Sequence, residues 1–198
     1  MGKNNNSLQE YKSKRDFSKT AEPKAKKKSK SDKPIFVIQK HNATSLHYDF
    51  RIEDNGELIS WAVPKGPSTK TSEKRFATRT ENHPVDYADF EGVIPEEEYG
   101  SGPVIVWDKG HYRNIRAEKK EGKTIQESLE EGKVEVWLEG EKIKGGYVLV
   151  VMGEKKENKW LMIKMDDKES DARRNPQSSE PESVKSGKTI EEIEQGNK

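Results

Sequence analysis

The pattern that most constrains this chain runs through residues 46–52, LHYDFRI, which alternate in polarity with the two-residue period of a β-strand. The four apolar side chains fall on one face, whereas His47, Asp49 and Arg51 fall on the other. The pair Asn55-Gly56 follows, and because both residues tolerate a positive φ, it is the strongest short signal for a tight turn. The sequence therefore predicts an antiparallel hairpin whose first strand has one apolar and one polar face.

Other short segments are rich in β-branched and aromatic residues, as strands are. Together with the hairpin they predict seven strands, at residues 34–40, 46–54, 57–66, 103–115, 133–140, 144–153 and 158–165. One helix is predicted at 124–132, where Thr124 and Glu127 form a capping box and Gly132 ends the helix. Many short strands with one short helix are typical of an antiparallel barrel or sandwich, so the expected class is all-β with minor α.

Charge and hydropathy divide the 198-residue chain into three parts. Residues 1–33 carry eleven Lys or Arg against four Asp or Glu and are expected to be a basic arm and linker, with a helix at 7–17 whose N-cap is Ser7. Residues 34–167 hold the apolar segments and are expected to fold as one β-domain. Residues 168–198 are poor in apolar residues, so they are expected to be a disordered tail with a weak helix at 189–195. The basic arm indicates a polyanionic partner, most simply nucleic acid.

Several classes of chemistry are excluded or lack support. The absence of cysteine excludes disulfides, thiolate metal sites and cysteine nucleophiles. No apolar run is long enough for a signal peptide or a membrane span, so the chain is expected to be soluble and cytoplasmic, with no membrane partner. The motifs GxxxxGK[ST], GxSxG and HExxH are missing, and nucleotide-driven chemistry and serine hydrolysis therefore lack support.

The polar face of the first hairpin strand carries two side chains that can bind a metal. His47 and Asp49 lie roughly 6.6–6.8 Å apart at Cα on such a strand, and His41 is close enough in sequence to supply a third ligand. Two imidazoles and one carboxylate suit Mn, Fe, Co, Ni or Zn better than Ca. Arg51 would then clamp a phosphate or carboxylate beside the metal. The same pattern also fits the solvent face of an antiparallel strand, and the residues alone leave both interpretations open.

A third histidine lies in a polar loop. His83 precedes Pro84, which holds it extended, and it is a candidate general acid or donor to developing negative charge. A lone loop histidine is more often an ordinary surface residue. The fourth, His111, has no second cue and is interpreted as structural. Residues 91–104 are dense in glycine, proline and acidic residues and are expected to form an ordered loop that leads into a strand.

Several long, ordered segments resemble the 3′-phosphoesterase domain family of bacterial DNA ligase D. They are KHNATSLHYDFRIE, SWAVPKGPS, TENHPVDYADFEGVIP, YGSGPVIVWDKG and WLMIKMDD. LQEYKSKRDFSKTAEP, at residues 8–23, is similar to the family's leading segment. The resemblance covers about residues 8–167. No ligase or polymerase motif occurs, so the chain resembles the stand-alone form of the domain.

The resemblance implies a compact antiparallel β-barrel of about eight strands with one or two short helices. It also implies a manganese-dependent site, with Co²⁺ or Zn²⁺ as other occupants. Two reactions are implied at nucleic-acid 3′ ends. A phosphodiesterase step removes a terminal 3′ ribonucleoside from a primer–template. A phosphomonoesterase step then removes the remaining 3′-phosphate and leaves a 3′-OH for end-joining repair.

Site residues follow from the same resemblance. It implies His41, His47 and Asp49 as metal ligands, and His83, Arg51 and Tyr87 as catalytic residues at the phosphate. The supporting positions it implies are Gln39, Lys65, Arg75, Glu81, Arg15, Asp16 and Glu22. The chain is expected to act as a monomer on DNA or RNA–DNA primer–template 3′ ends, with a separate DNA ligase or polymerase as a further partner.

Two functions of other classes stay open. His47 and Asp49 with a distant histidine imitate the facial triad of a non-haem Fe(II) oxygenase, although His41 would then be unexplained. A non-catalytic nucleic-acid-binding module would use the basic arm for phosphate contacts.

Overall fold

Ten strands and five short α-helices make up the part of the chain that the computed structural model describes, namely residues 8–24, 26, 32–120, 122–154 and 158–196. The strands are β1 Ile35–Asn42, β2 Leu46–Asp54, β3 Glu57–Val63, β4 Lys74–Arg79, β5 His83–Pro84, β6 Gly92–Ile94, β7 Gly102–Asn114, β8 Lys133–Gly140, β9 Lys144–Val151 and β10 Lys159–Lys164. The helices are α1 Gln9–Ser13, α2 Ile115–Glu118, α3 Ile125–Glu131, α4 Pro176–Ser179 and α5 Ile190–Gln195, and a 3-10 helix spans Val85–Asp89. None of these helices has the length and apolar character that a membrane crossing requires.

Eight of the strands close into an antiparallel barrel. Neighbours follow the order β1-β2-β3-β4-β10-β9-β8-β7, and β7 pairs back with β1. The two short strands lie off this ring, where β5 pairs with β3 and β6 pairs with β7. The predicted all-β class and the barrel of about eight strands are therefore confirmed.

The two strongest local signals in the sequence form the structures they predicted. Asn55 and Gly56 adopt φ values of 50° and 78° in the turn between β2 and β3. At α3, Thr124 and Glu127 make both bonds of the capping box, and Gly132 ends the helix with a φ of 79°. These elements depend on local backbone chemistry, which explains why sequence alone locates them.

Three strands, β4, β5 and β6, were not predicted. β4 has the sequence KRFATR, which does not show the alternation of apolar and polar residues expected of a strand. The small Ala77 is its fully buried residue, whereas the larger Phe76 is 43% exposed. β5 has two residues, and β6 has three within the segment expected to be a loop. Such elements form because neighbouring strands offer backbone partners, and a sequence pattern of their own is not needed.

Buried apolar side chains form two clusters, one on each side of the barrel wall. The interior cluster fills the barrel and includes the aromatic residues Phe50, Trp61 and Trp107. The outer cluster lies against the other face of the strands, and its buried members are Tyr11, Val37, Leu58, Tyr87, Ala88, Phe90, Ile94, Val104 and Val106. Part of the outside of the barrel is thus a second buried environment rather than a solvent face.

Residues 8–23, here called the amino-terminal segment, cover that part of the outer face. α1 is shorter than the helix predicted at 7–17, and its predicted N-cap, Ser7, lies outside the described residues. Tyr11 is fully buried in the outer cluster and donates its hydroxyl to the Pro23 carbonyl at 2.6 Å. The amino-terminal segment is thereby fixed against the barrel. Most of the lysine run at 24–33 lies outside the described residues.

The tail differs from the expectation of disorder. Over its described part, 168–196, it packs on the barrel: Trp107 donates Nε1–H to the Glu180 carbonyl at 2.8 Å, and Val184 donates N–H to the Val106 carbonyl at 2.9 Å. Ile190, in the helix expected at 189–195, is 3% exposed within the interior cluster. The structure corrects the expectation because a few well-placed apolar residues and backbone hydrogen bonds anchor a segment of polar average composition. The division into arm, domain and tail stays a prediction.

Candidate active site

Two neighbouring strands present the predicted polar residues on one outer face of the barrel. β1 and β2 pair so that His41 lies opposite His47 and Gln39 lies opposite Asp49, and Arg51 continues the row. This row does not face open solvent, because Asp49 and Arg51 are only 6% and 3% exposed. Burial of charged side chains requires partners, so the interpretation of an ordinary solvent face is ruled out here.

The side chains of three residues converge on one point, and they are here called the carboxylate side: His41, His47 and Asp49. His41 Nδ1 lies 3.6 Å from Asp49 Oδ2, and His47 Nε2 lies 3.7 Å from Asp49 Oδ1. One ligand atom from each of the three residues lies within 4.8 Å of the others. These contacts are longer than hydrogen bonds, as expected for donors arranged around a shared cation rather than bonded to each other.

The outer nitrogen of each imidazole meets a backbone carbonyl. His41 Nε2 lies 2.8 Å from the Gly100 oxygen, and His47 Nδ1 lies 2.9 Å from the Ser45 oxygen. Because a carbonyl only accepts, these nitrogens carry the protons, and the lone pairs of the inner nitrogens face Asp49. Carbonyl support of this kind is what orients histidine ligands in metal sites. The residues present therefore fit a divalent transition metal.

Charges around Asp49 keep it ionised. Burial alone would raise the pKa of Asp49, but Arg51 and the two imidazoles outweigh burial and hold that pKa well below its usual range. Burial would lower the pKa of His47, yet its contact with Asp49 raises it overall. A full negative charge is thus available between two imidazoles.

The opposite half of the site, here called the arginine side, consists of Arg51, Arg15 and His83. Arg51 donates Nε–H to Gln39 Oε1 at 2.8 Å and Nη2–H to Asp49 Oδ2 at 3.0 Å, and its Nη1 lies 3.0 Å from His83 Nδ1. Arg51 is therefore the residue that joins the two sides. Its guanidinium carbon also lies 5.0 Å from the centre of the Tyr87 ring.

His83 lies between groups of opposite hydrogen-bonding character. Its Nδ1 is 3.0 Å from Nη1 of Arg51, which only donates, and 3.0 Å from the Glu81 carbonyl oxygen, which only accepts. Nη2 of Arg15 lies 3.4 Å from Nε2 of the same ring. Two guanidinium groups therefore flank one imidazole, an arrangement that an anionic oxygen would complement. Burial and the charges of Arg51 and Arg15 hold the pKa of His83 well below its usual range, so this imidazole is neutral.

The amino-terminal segment brings Arg15 to this position. Arg15 donates Nε–H to Glu22 Oε1 at 2.8 Å in a buried ion pair, and the Tyr87 hydroxyl donates to the same oxygen at 2.9 Å. Burial, reinforced by the charge of Glu22, raises the pKa of Tyr87 well above its usual range. The tyrosine is thus a neutral donor whose hydroxyl is occupied by Glu22, and its ring is the part that faces Arg51.

One pocket of about 430 Å³ contains both sides of the site, with Arg15, Arg51, His83 and Tyr87 on its wall beside the carboxylate side. Glu81 lines it too, 3.4 Å from Arg15 Nη1. Gln39 lies behind the wall, where its Nε2–H groups donate to the Tyr87 and Phe90 carbonyls.

Besides Gln39 and Glu22, which bond to residues of the pocket wall from behind it, three predicted supporting residues do not line the pocket. Lys65 is exposed in the turn after β3, and Arg75 on β4 pairs with Glu73 at 2.5 Å. Asp16 is exposed, and its carboxylate accepts from the N–H and the hydroxyl of Ser18 at 3.0 and 2.6 Å. Asp16 therefore stabilises the turn that leads to Glu22, while the roles predicted for Lys65 and Arg75 stay predictions.

Sequence reasoning expected an ordered loop at 91–104 but did not place it at the site, where it forms the other rim of the pocket. Tyr99 and Gly100 line it, and Gly100 supplies the carbonyl that orients His41. The signal for this loop in the sequence was the YGSG motif, whose first glycine, Gly100, adopts a φ of 75°. Tyr11, which packs its ring 5.1 Å from His83, was assigned only to a helix.

A barrel that carries a two-histidine, one-carboxylate set beside two arginines has the donors that a phosphate and a metal ion require. Residues 39–151 match the sequence profile of the DNA Ligase D 3′-phosphoesterase domain. The chain belongs to this family of phosphoesterases, as the resemblance implied.

Curated relatives support the same assignment. The chain is 42% identical over 188 residues to the multifunctional non-homologous end joining protein LigD of Pseudomonas aeruginosa, covering 92% of this chain and 22% of that protein. It is 42% identical over 166 residues to LigD of Mycolicibacterium smegmatis, covering 82% and 21%. It is 44% identical over 144 residues to LigD of Mycobacterium tuberculosis strain H37Rv, covering 72% and 18%. The chain spans about a fifth of the length of these relatives.

Proposed function

We propose that this protein processes the 3′ ends of nucleic acids for end-joining repair in two metal-dependent hydrolytic steps. A phosphodiesterase step removes a 3′-terminal ribonucleoside and leaves a 3′-phosphate. A phosphomonoesterase step removes that phosphate as inorganic phosphate and leaves a 3′-OH, which a separate ligase or polymerase uses. The working form in this proposal is a monomer with Mn²⁺ as the metal.

One observation carries the proposal: a single pocket holds a metal-competent set on one side and two arginines around a neutral histidine on the other. The carboxylate side offers two lone pairs and a charge, and the arginine side offers the guanidinium groups of Arg51 and Arg15, which flank His83. A phosphate group has oxygens for both. The end-joining names of the relatives identify a nucleic-acid end as the natural carrier of that phosphate.

The residues of the arginine side have separable tasks in the reaction. Arg51 and Arg15 hold non-bridging phosphate oxygens and offset the negative charge that grows as water adds to phosphorus. His83 is neutral before substrate binds and lies between the two guanidinium groups that meet the phosphate. A bound phosphate also opposes the arginine charges that depress the pKa of His83, so the imidazole becomes a better proton carrier for the leaving oxygen once substrate is present.

His41, His47 and Asp49 would hold the metal. When bound, such an ion supplies Lewis-acid polarisation of phosphate oxygens and lowers the pKa of a bound water. The chain's own contribution is to keep three donors oriented through the Gly100 and Ser45 carbonyls and to exclude bulk water with the amino-terminal segment.

The oxygenase alternative loses support from the same geometry. His41, His47 and Asp49 have the composition of the facial triad, but this set lies outside the barrel rather than in its interior. In oxygenases of that kind, two histidines and a carboxylate bind one face of the metal, and the positions on the opposite face stay open for a co-substrate. Here Arg51 and His83 occupy that neighbourhood as donors suited to phosphate.

The test is incubation of a primer–template that ends in one ribonucleotide with the chelator-treated protein and added Mn²⁺, Co²⁺ or Zn²⁺. Mass analysis is expected to show first a primer shortened by one ribonucleoside with a 3′-phosphate, and then the 3′-OH. The His47→Ala variant is expected to lose both products, whereas His111→Ala is the matched control because His111 is exposed and lies outside the pocket. An unchanged primer with every metal, together with salt-sensitive binding, would support the non-catalytic module instead.

A further inference from the structure

Tyr99 differs from the other aromatic residues around the site. Tyr11 and Tyr87 are 0% and 2% exposed, whereas Tyr99 is 54% exposed at the rim of the pocket. An exposed aromatic ring loses the stability that burial would give it. Its position at the rim of the pocket makes the ring accessible to a bound ligand.

The loop that carries Tyr99 is held at both ends of its turn. Gly100, the next residue, accepts the hydrogen bond from His41 Nε2 at 2.8 Å, and Glu98, the preceding residue, accepts from the backbone N–H of Asp16 at 3.1 Å. Glu98 N–H also donates to the Pro95 carbonyl, and Ser101 N–H to the Glu98 carbonyl. The loop that carries the ring is thus held relative to a candidate metal ligand and to the amino-terminal segment, as a preformed binding surface needs to be.

Charge and shape around the ring suit one kind of ligand. The Lys14 ammonium lies over one face of the Tyr99 ring, 4.6 Å from its centre. Tyr99 also lines two depressions, the pocket of the site and an adjacent one of about 580 Å³ whose charged residues are Glu10, Lys14, Arg79 and Glu81. A half-exposed flat ring with a cation on one face, at the junction of two grooves, is suited to stack a nucleic-acid base while the cation contacts its backbone.

We propose that Tyr99 is a stacking platform for the base of the nucleotide whose 3′-oxygen carries the scissile phosphate. This inference rests on the proposed function, since it takes a nucleic-acid 3′ end as the substrate. That nucleotide is present in both hydrolytic steps, whereas the leaving ribonucleoside is present in one. With its phosphate between the two sides of the site, its base lies over Tyr99 and the preceding strand continues into the adjacent depression. Tyr99 is thus a specificity-determining residue. It distinguishes a nucleotide that has a base from an abasic one, but it does not distinguish one base from another.

The test compares the binding of two ligands to the full chain and to its variants. A metal chelator is present throughout, so that no turnover occurs. The dissociation constants of two primer–templates are compared by fluorescence anisotropy: one ends in an ordinary 3′-phosphorylated nucleotide, and the other ends in an abasic 3′-phosphorylated residue. Tyr99→Ala is expected to weaken binding of the first by about 5- to 150-fold, the range that loss of one base–aromatic stack brings. The same variant is expected to change binding of the abasic ligand by less than about twofold, because no stack is left to lose. Tyr99→Phe keeps the ring and is expected to match the parent.

Phe76→Ala is the matched control, since Phe76 is a 43% exposed aromatic residue outside the pocket. It is expected to leave both dissociation constants unchanged. An equal loss for both ligands, or no loss for either, overturns the stacking role of Tyr99. Turnover is measured separately with the parent protein and metal. If the dissociation constants change as predicted but the parent never cleaves, the proposed function alone is contradicted. If the parent cleaves but the dissociation constants do not change as predicted, the role of Tyr99 alone is contradicted.

Discussion

The two sides of the pocket use histidine in opposite ways. On the carboxylate side, Asp49 raises the pKa of His47, and backbone carbonyls turn the imidazole lone pairs inward. On the arginine side, burial and two guanidinium groups lower the pKa of His83, and its two ring nitrogens meet Arg51 and Arg15. The same residue type is thus paired with a carboxylate on one side and with cations on the other. Its neighbours set this difference, since the unperturbed imidazole has one pKa near 6.5.

The strongest way to break this contrast is to remove the charge of Asp49. Asp49→Asn keeps the shape but leaves Arg51 and both imidazoles without their anion, so metal affinity and phosphate hydrolysis fall together. We expect kcat/KM for a 3′-phosphate primer to drop on the order of 10³-fold. Steady-state kinetics with saturating Mn²⁺ is the measurement, with His111→Ala as control. Activity within tenfold of the parent would show that the carboxylate side does not hold the catalytic metal.

A second test separates the two sides at the residue that joins them. Arg51 contacts Gln39, Asp49 and His83 at once through three nitrogens. Arg51→Lys keeps the charge but has one nitrogen, so it loses two of these contacts, and kcat/KM is expected to fall about 10²-fold while Mn²⁺ binding changes little. Metal titration by calorimetry alongside the kinetics checks both parts. Equal losses in metal affinity and turnover would mean that the two sides act as one unit.

The contrast between the two sides was only partly readable from sequence. The strand period placed His47, Asp49 and Arg51 on one face, because side-chain direction depends on local geometry. That the face is buried could not be read, because its cover is the amino-terminal segment, which is held by Tyr11 and by the bonds of Glu22 to Arg15 and Tyr87 within a sequence of polar composition. The same limit explains the tail, where Ile190 anchors a segment of polar composition. The roles of Lys65 and Arg75 rest on the resemblance alone.

A smaller effect is expected where the amino-terminal segment supports the arginine side. Glu22 accepts from both Arg15 and Tyr87 in a buried environment, and a hydrogen bond to a charged group contributes about 1.5–3 kcal/mol. Glu22→Gln loses the ion pair but can keep one bond, so kcat/KM is expected to fall about tenfold. The matched control is Glu97→Gln, because Glu97 pairs with Lys19 at 3.6 Å while its side chain is 82% exposed. If the two variants behave alike, burial of Glu22 does not matter for catalysis.

The smallest expected effect concerns pH and stability. The folded-state pKa of His83 lies below the unfolded value of about 6.5, so as pH falls below 6.5 the unfolded chain takes up a proton that the folded protein refuses. Stability linked to His83 is therefore fully present above pH 6.5 and is lost on acidification, by at most about 1.4 kcal/mol per pH unit. The raised pKa of His47 acts in the opposite direction, but it is common to the parent and to His83→Gln, so it largely cancels when the two are compared. Urea unfolding at pH 7.5 and 5.5 is expected to show the parent losing about 1 kcal/mol more than His83→Gln. Equal losses in both proteins would mean that His83 titrates normally, and the electrostatic difference between the two sides would then disappear.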